Sequence, residues 1–323
     1  MPEAEYREAL RAGLAAAVEA ACGGAELTEI DRLRGGSKKG VYRLGLGDGR
    51  AVVAYVWNRE EDFWPEAPVE DAGPLGHASG LGLFAAANRR LTGLGVRTPE
   101  LLLADDAGRF LPQAELAIVE DVPGESLEAL LGRDPAAARP VLEQLRGALR
   151  LMAADTAPRP GRIGHGTAES CERLVLRRAL ADLAEAAGRD GRIAEAEGEL
   201  ADRLHRLARA VRPRSEFGLV HGELGPDHVL VDAAGRPVLI DIEGLMHFDV
   251  EWEHVFLRIR FDEHYGDLAA EGLDPDRLAF YELAMRLSLV AGPLRLLDGG
   301  FPDREFMLGI VEYNLRAALA GQS

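Results

Sequence analysis

At 323 residues, 47% of them hydrophobic, the chain can bury a substantial core and has the length of one large domain or two lobes; two lobes is the reading adopted. Its 37 basic and 54 acidic residues give a formal net charge of −17, which argues against general binding to nucleic acid or to an anionic membrane and would attract a cationic small molecule. Cys22 and Cys171 are too few for a disulfide framework or a zinc site and are expected to be buried; no run of about eighteen apolar residues occurs, the N-terminus is acidic where a signal peptide is basic, and a cytoplasmic protein is expected.

In chain order, Leu10, Leu14, Val18 and Ala21 fall at helical spacing before Gly23-Gly24 and predict an amphipathic N-terminal helix. Residues 27–57 change to strands, with Gly47-Asp48-Gly49 as a hairpin turn, and imply a small antiparallel sheet. A polar, proline-containing loop covers 58–76; within it Asp62-Phe63-Trp64-Pro65-Glu66 could form a lid or simply pack. Helical period returns over 78–94, strands follow at 100–104 and 114–120, and Glu120-Asp121-Val122-Pro123-Gly124 reads as a hinge before a helix starting near Ser126. Beyond the hinge the pattern is mostly helical: 139–154, 170–187, 193–211, 251–260, 276–296 and 303–320, with breaks at Gly292-Pro293 and Gly299-Gly300. The only clear strands there flank the turn Asp232 to Arg236, running from His228 to Val231 and from Pro237 to Ile240.

That hairpin carries the chemistry. His221-Gly222-Glu223 enters the first strand, His228 follows five residues later, and Asp241 ends the second strand, so pairing of the strands would bring Glu223, His228 and Asp241 together. Carboxylates and an imidazole around one point suit Mg²⁺ and a nucleophilic hydroxyl, because hard oxygens hold the ion while a free carboxylate takes a proton. Glu243 could assist the metal or face solvent, the latter being the reading preferred, and Asp227 and Asp232 are expected to be turn residues.

The order of signposts, from Gly35-Gly36-Ser37-Lys38-Lys39-Gly40 through EDVPGESLEALL to HGELGPDHVLVD, VLIDIEG and FDVEWEH, resembles the aminoglycoside phosphotransferase and choline kinase family. The resemblance implies an α+β, protein-kinase-like two-lobed fold, with an N-lobe over 1–120 and a helical C-lobe over 121–323. It implies a γ-phosphoryl transfer from ATP or GTP, with Mg²⁺, to a hydroxyl of a small molecule such as an antibiotic or metabolite. By residue, Glu223 takes the place of the family's base, His228 that of its metal-holding asparagine, and Asp241 that of its metal aspartate; Asp249 would buttress the catalytic loop and His221 would bond its backbone. Gly36, Ser37, Lys38 and Lys39 would cover the phosphates, Glu120 and Val122 would meet the purine through their backbone, and acceptor choice would lie in residues 155–212 and the C-terminal helices. Departures are Glu for Asp at 223, His at 228, no lysine in the third strand AVVAYVW, and no acid in the helix around 81–87. Lys38 and Lys39 are expected either to replace the missing charge or to be solvated turn residues. Two other readings share the fold: a kinase-like enzyme acting on Ser or Thr of a precursor peptide, and an impaired pseudokinase that only binds.

Overall fold

The computed structural model describes residues 3–33, 36–65 and 73–320; Gly35 and Glu66, both named above, lie outside them. The N-terminal period is realised as α1, Glu3–Ala21, with Leu10, Leu14, Ala17 and Val18 buried. They pack on one face of an antiparallel sheet of five strands: β1 Leu27–Arg32, β2 Gly40–Leu46, β3 Ala51–Trp57, β4 Leu101–Asp105 and β5 Glu115–Glu120, in the order β1-β2-β3-β5-β4. The run AVVAYVW is continuous in hydrophobicity because β3 is central and covered on both faces. Val52, Ala54 and Val56 meet α1, while Val53, Tyr55 and Trp57 meet Leu81 and Phe84 of α2, Leu81–Gly93. The helical period over 78–94 is thus realised three residues late at its start.

After β5 the hinge leads through β6, Glu125–Ser126, into α3, Leu127–Arg133, whose first turn is capped by the Ser126 hydroxyl accepting the Ala129 N–H at 3.1 Å. Then come α4 Pro135–Ala154, the two-residue strands β7 Thr156–Ala157, β8 Gly161–Arg162 and β9 His165–Gly166, and the helices α5 Cys171–Ala187 and α6 Gly191–Ala210. Strands β10 Phe217–Val220, β11 Val229–Val231, β12 Pro237–Leu239 and β13 Met246–Phe248 carry the predicted hairpin and its flanks, and α7 Val250–Phe261, α8 Pro275–Asp298 and α9 Arg304–Ala320 complete the fold. Strands β10 and β13 correct the expectation that only the hairpin is extended beyond the hinge. At four and three residues they are too short to show a period, yet they pair through Gly218↔Phe248, Leu219↔His247 and Val220↔Met246, so that β10 runs straight into His221.

Three further expectations change. Helix α8 continues through Gly292-Pro293, where both residues are buried; packing of the surrounding turns outweighs the amide bond that proline cannot donate. Cys22, at the end of α1, is half-buried, and only Cys171 is enclosed. The loop after β3 leaves the sheet: Phe63 stacks edge-on against Phe301 at 5.5 Å, which ties the N-terminal region to the end of α8. Among the described residues no helix is long and apolar enough to cross a membrane.

Candidate active site

Strand β10 ends at His221, which is buried and donates from Nε2 to the Ile240 carbonyl at 2.9 Å, as expected for a residue that fixes the loop. Burial, and after it the neighbouring His228, pulls its pKa down to about 4, so the ring is neutral. Gly222 then turns the chain with φ 91°, a conformation an L side chain resists, and donates its N–H to Glu253 at 2.8 Å. Glu223 follows at the loop's crest with its side chain about half exposed, at 54%. The turn Pro226–His228 returns the chain, and His228 donates from Nδ1 to the Glu223 carbonyl at 2.7 Å, since only an N–H can face a carbonyl at that distance.

The hairpin pairs Val229 with Leu239 and Val231 with Pro237, and Ile240 N–H bonds back to the His228 carbonyl at 3.0 Å. The register places His228 beside Asp241, with Nε2 3.8 Å from Oδ2. Asp241 itself is left-handed, φ 56° and ψ 45°, a region aspartate tolerates better than most residues and one that turns its carboxylate off the strand end into the cleft. Each strand of the hairpin is one residue shorter at its site end than the sequence suggests, with His228 in the turn and Ile240 past the last ladder pair.

The turn ahead of β2 closes this cleft from the N-terminal side. Gly36 sits so tightly that a Cβ there would lie 2.5 Å from the Lys39 carbonyl oxygen. Lys38 reaches Glu223 at 3.2 Å, and Lys39 reaches Asp241 at 2.8 Å and also bonds Glu243. Both lysines are therefore paired across the cleft, and the alternative of solvated turn lysines falls; Lys39 is 5% exposed. Its ammonium lies 5.1 Å from the centre of the Tyr55 ring, in the strand AVVAYVW that carries no lysine. Glu243 is buried rather than solvent-facing, because the tight turn after Asp241 directs it inward to Lys39. The acids that meet Lys39 therefore come from the Asp241 loop, while α2 has no acid in its first turn. Ser37 is held by Trp64, whose indole N–H donates to Oγ at 3.2 Å, and by Phe63, whose N–H donates to the Ser37 carbonyl at 3.0 Å.

Charge explains the titration of these groups. Lys38 holds the Glu223 carboxyl below its ordinary value, against desolvation and the repulsion of Asp241. Burial raises Asp241, but Lys39, His228 and Lys38 outweigh it and hold the group far below the usual carboxylate range. Burial likewise opposes the charge on Lys39, and Asp241 and Glu243 overcome it, so the ammonium persists at any working pH. Tyr55 is pushed up to about 12 by burial and remains neutral.

Two cavities meet here. One of about 440 Å³ is lined by the turn residues Gly36 to Lys39, Tyr55, Trp64, Glu223, His228 and Asp241. The other, of about 490 Å³, runs along Glu120 to Gly124 and shares Val41, Tyr55 and Ile240 with the first. The Glu120 side chain at the hinge pairs with Arg97 at 2.6 Å. Every described residue proposed for phosphates, metal, base or purine thus lines one of two contiguous cavities.

Three further acids lie in or behind the loop. Asp249 is fully enclosed and accepts bonds from Arg277 at 2.9 Å, from the Tyr281 hydroxyl, and from Arg214 at 3.3 Å, tying β13 to α8 as a buttress would. Asp227, expected only to make a turn, also accepts a bond from Arg260 at 2.8 Å. Glu253, enclosed by α7, accepts the Gly222 N–H with one oxygen while its other buried oxygen has no partner. Burial pushes this carboxyl from 4.5 to about 7, against the backbone donors Gly222 and His221. The folded protein therefore holds a proton that the unfolded chain has released, and stability falls as pH rises from about 4.5 through 7. At pH 8 this costs on the order of 3 kcal/mol. Glu253→Gln is expected to remove that decline; urea unfolding of both proteins at pH 5 and pH 8 measures it, and equal declines would contradict it.

A model of the phosphotransferase enzyme family matches residues 29–286. The chain belongs to that family. No curated protein matches it. Among solved structures, this family member is similar to the apo form of a thermostable mutant of aminoglycoside phosphotransferase APH(4)-Ia, with a TM-score of 0.62 at 19% identity over 94% of this chain and 98% of that one. Spectinomycin phosphotransferase APH(9)-Ia, in complex with ADP and spectinomycin, gives a TM-score of 0.61 at 12% identity over 94% and 93%. LicA in complex with AMP gives 0.63 at 10% over 95% and 97%. At such identities the likeness establishes the fold, an α+β protein-kinase-like architecture with an antiparallel-sheet N-terminal region and a helical C-terminal region.

Proposed function

We propose that this phosphotransferase family member moves the γ-phosphoryl group of ATP or GTP to a hydroxyl of a small molecule, with Glu223 as the base. The observation that carries the reading is the meeting of Glu223, Asp241, Lys38 and Lys39 in one cavity continuous with the hinge. Complexes of related structures with ADP, with AMP-PNP and hygromycin B, and with spectinomycin support a nucleotide in the hinge cavity and a hydroxyl-bearing acceptor beside the base.

The acceptor oxygen attacks the γ-phosphorus, the bond from that phosphorus to the bridging oxygen breaks, and the nucleoside diphosphate leaves while the hydroxyl proton passes to Glu223. Its carboxylate is ionised because Lys38 stands beside it, and its backbone is fixed by the His228 N–H. Lys39 supplies from the turn the charge that the family takes from the third strand, held in place by Glu243. Gly36 and Ser37 bring the turn's backbone over the phosphates, and the backbone of Glu120 and Val122 takes the purine edge. For Mg²⁺ the donor set fits at Asp241, a hard carboxylate in the cleft, and the ion would neutralise phosphate charge when bound. His228 offers a softer nitrogen, so its proposed part is to orient the loop rather than to hold the ion.

Glu223→Gln tests the base directly. It should lower kcat by about 10²-fold to 10⁴-fold while leaving the KM for nucleotide nearly unchanged, because the amide keeps the shape and cannot take the proton. In Lys38→Met the acid limb of the pH profile should move to higher pH, since the depressing charge on Glu223 is gone. Unchanged kcat in Glu223→Gln would remove the base assignment.

A further inference from the structure

Below Glu223, away from the hinge, lies a third cavity of about 280 Å³ between residues 73–78, the α5 region and helices α7 to α9. On the phosphotransfer reading this is the acceptor side. Its walls are apolar, with Trp252, Met285, Leu289 and Ile310 among them, and among the described lining residues Glu223 is the single carboxylate beside three arginines, Arg162, Arg178 and Arg260. A net charge of −17 would suggest a cationic acceptor; this wall has the opposite local balance.

Two of the arginines are already neutralised. Arg178 pairs with Asp182 at 2.8 Å and Arg260 with Asp227 at 2.8 Å. Arg162 is different: it donates only to the carbonyls of Gly76 at 2.6 Å and Glu243 at 3.3 Å, and no carboxylate among the described residues pairs with it. A guanidinium has five N–H groups, so three remain without a partner among the described residues, whose carbonyl dipoles are what meets its charge. Burial pulls this group below its ordinary value, with Glu223 opposing, as befits a cation with no paired carboxylate among the described residues.

We infer that the acceptor carries a carboxylate on an apolar body, and that Arg162 is the residue that recognises this carboxylate. The planar fork matches a carboxylate through two parallel bonds, and the apolar walls take the remainder of the molecule. A polycation would meet three arginines and an apolar wall, with no acid among the described lining residues except Glu223. The inference rests on the proposed phosphotransfer at Glu223 for its biological meaning, but its test is binding alone, so the two can fail separately.

The probes are 4-(hydroxymethyl)cyclohexanecarboxylate, its methyl ester, and the matching aminomethyl alcohol, each titrated against the full chain without nucleotide while the fluorescence of Trp64 and Trp252 in the cavity is followed. The carboxylate should bind about tenfold more tightly than the ester or the amine. Arg162→Gln should bring all three within about twofold with the ester unchanged, and Arg162→Lys should keep part of the preference. If Arg162→Gln loses the ester as well, its fold is damaged and Arg162→Lys decides: a retained preference supports the assignment and a lost one overturns it. An ester or amine that binds the wild type as tightly as the carboxylate, no binding of the carboxylate, or a preference undiminished in Arg162→Gln overturns it.

Discussion

Asp241→Ala is expected to abolish nucleotide-dependent phosphoryl transfer, with kcat lowered on the order of 10³-fold or more and the fold retained. The expectation follows from geometry. Asp241 is the one strand-end carboxylate turned into the cleft by a left-handed backbone, and it contacts Lys39 at 2.8 Å and faces His228 at 3.8 Å. Alanine removes the hard oxygen that suits Mg²⁺ and half of the negative charge that positions Lys39. Its side chain is one-third exposed, so the loss should fall on charge arrangement and ion binding rather than on core packing. Steady-state assay of diphosphate release together with thermal unfolding separates the two. Undiminished turnover would remove Asp241 from the metal site.

Lys39→Met should be nearly as damaging and, unlike the first variant, should also destabilise the protein. Lys39 and Glu243 form a buried pair, and deleting one partner leaves the other carboxylate enclosed without compensation, at a cost of about 3–5 kcal/mol. Transfer should fall about 10²-fold to 10³-fold through loss of charge at the phosphates, with the KM for nucleotide rising. The double variant Lys39→Met with Glu243→Gln separates these effects: stability should return because no bare buried charge remains, while turnover should not. A second double variant, Lys39→Ala with Tyr55→Lys, moves the ammonium back to the strand and should recover part of the activity, since Lys39 lies against the Tyr55 ring. Full activity of Lys39→Met would show that its charge is unused.

How far the sequence reaches is clearest at the hairpin. The acid and histidine spacing with a turn between strands already brings Glu223, His228 and Asp241 to one place, because strand pairing fixes which ends meet. Lys39 was legible only as an alternative: a lysine in a glycine-containing turn looks the same in sequence whether it points to water or across a cleft, and the choice depends on carboxylates about 200 residues away. Glu243 was misread for a similar reason, since one residue in a tight turn has no period to reveal its face. The D-x-E spacing after the strand was the available signal. Strands β10 and β13 escaped because neither exceeds two repeats of the alternation, although they lead into the His221 loop on one side and Asp249 on the other. Arg162 was invisible, because its burial beside the cavity and its carbonyl partners, Gly76 and Glu243, depend on segments about 80 residues away in the chain.

Phosphoryl transfer itself can be followed by ³¹P NMR of the γ-phosphate of MgATP and of MgGTP, in the presence of the protein and a panel of hydroxyl-bearing antibiotics and metabolites that includes hydroxy acids. With the wild type a phosphate-monoester resonance should grow together with an equal amount of nucleoside diphosphate, and it should be absent with Asp241→Ala. Nucleotide left unchanged across the panel by the wild type, or the same monoester signal from both proteins, would contradict the account.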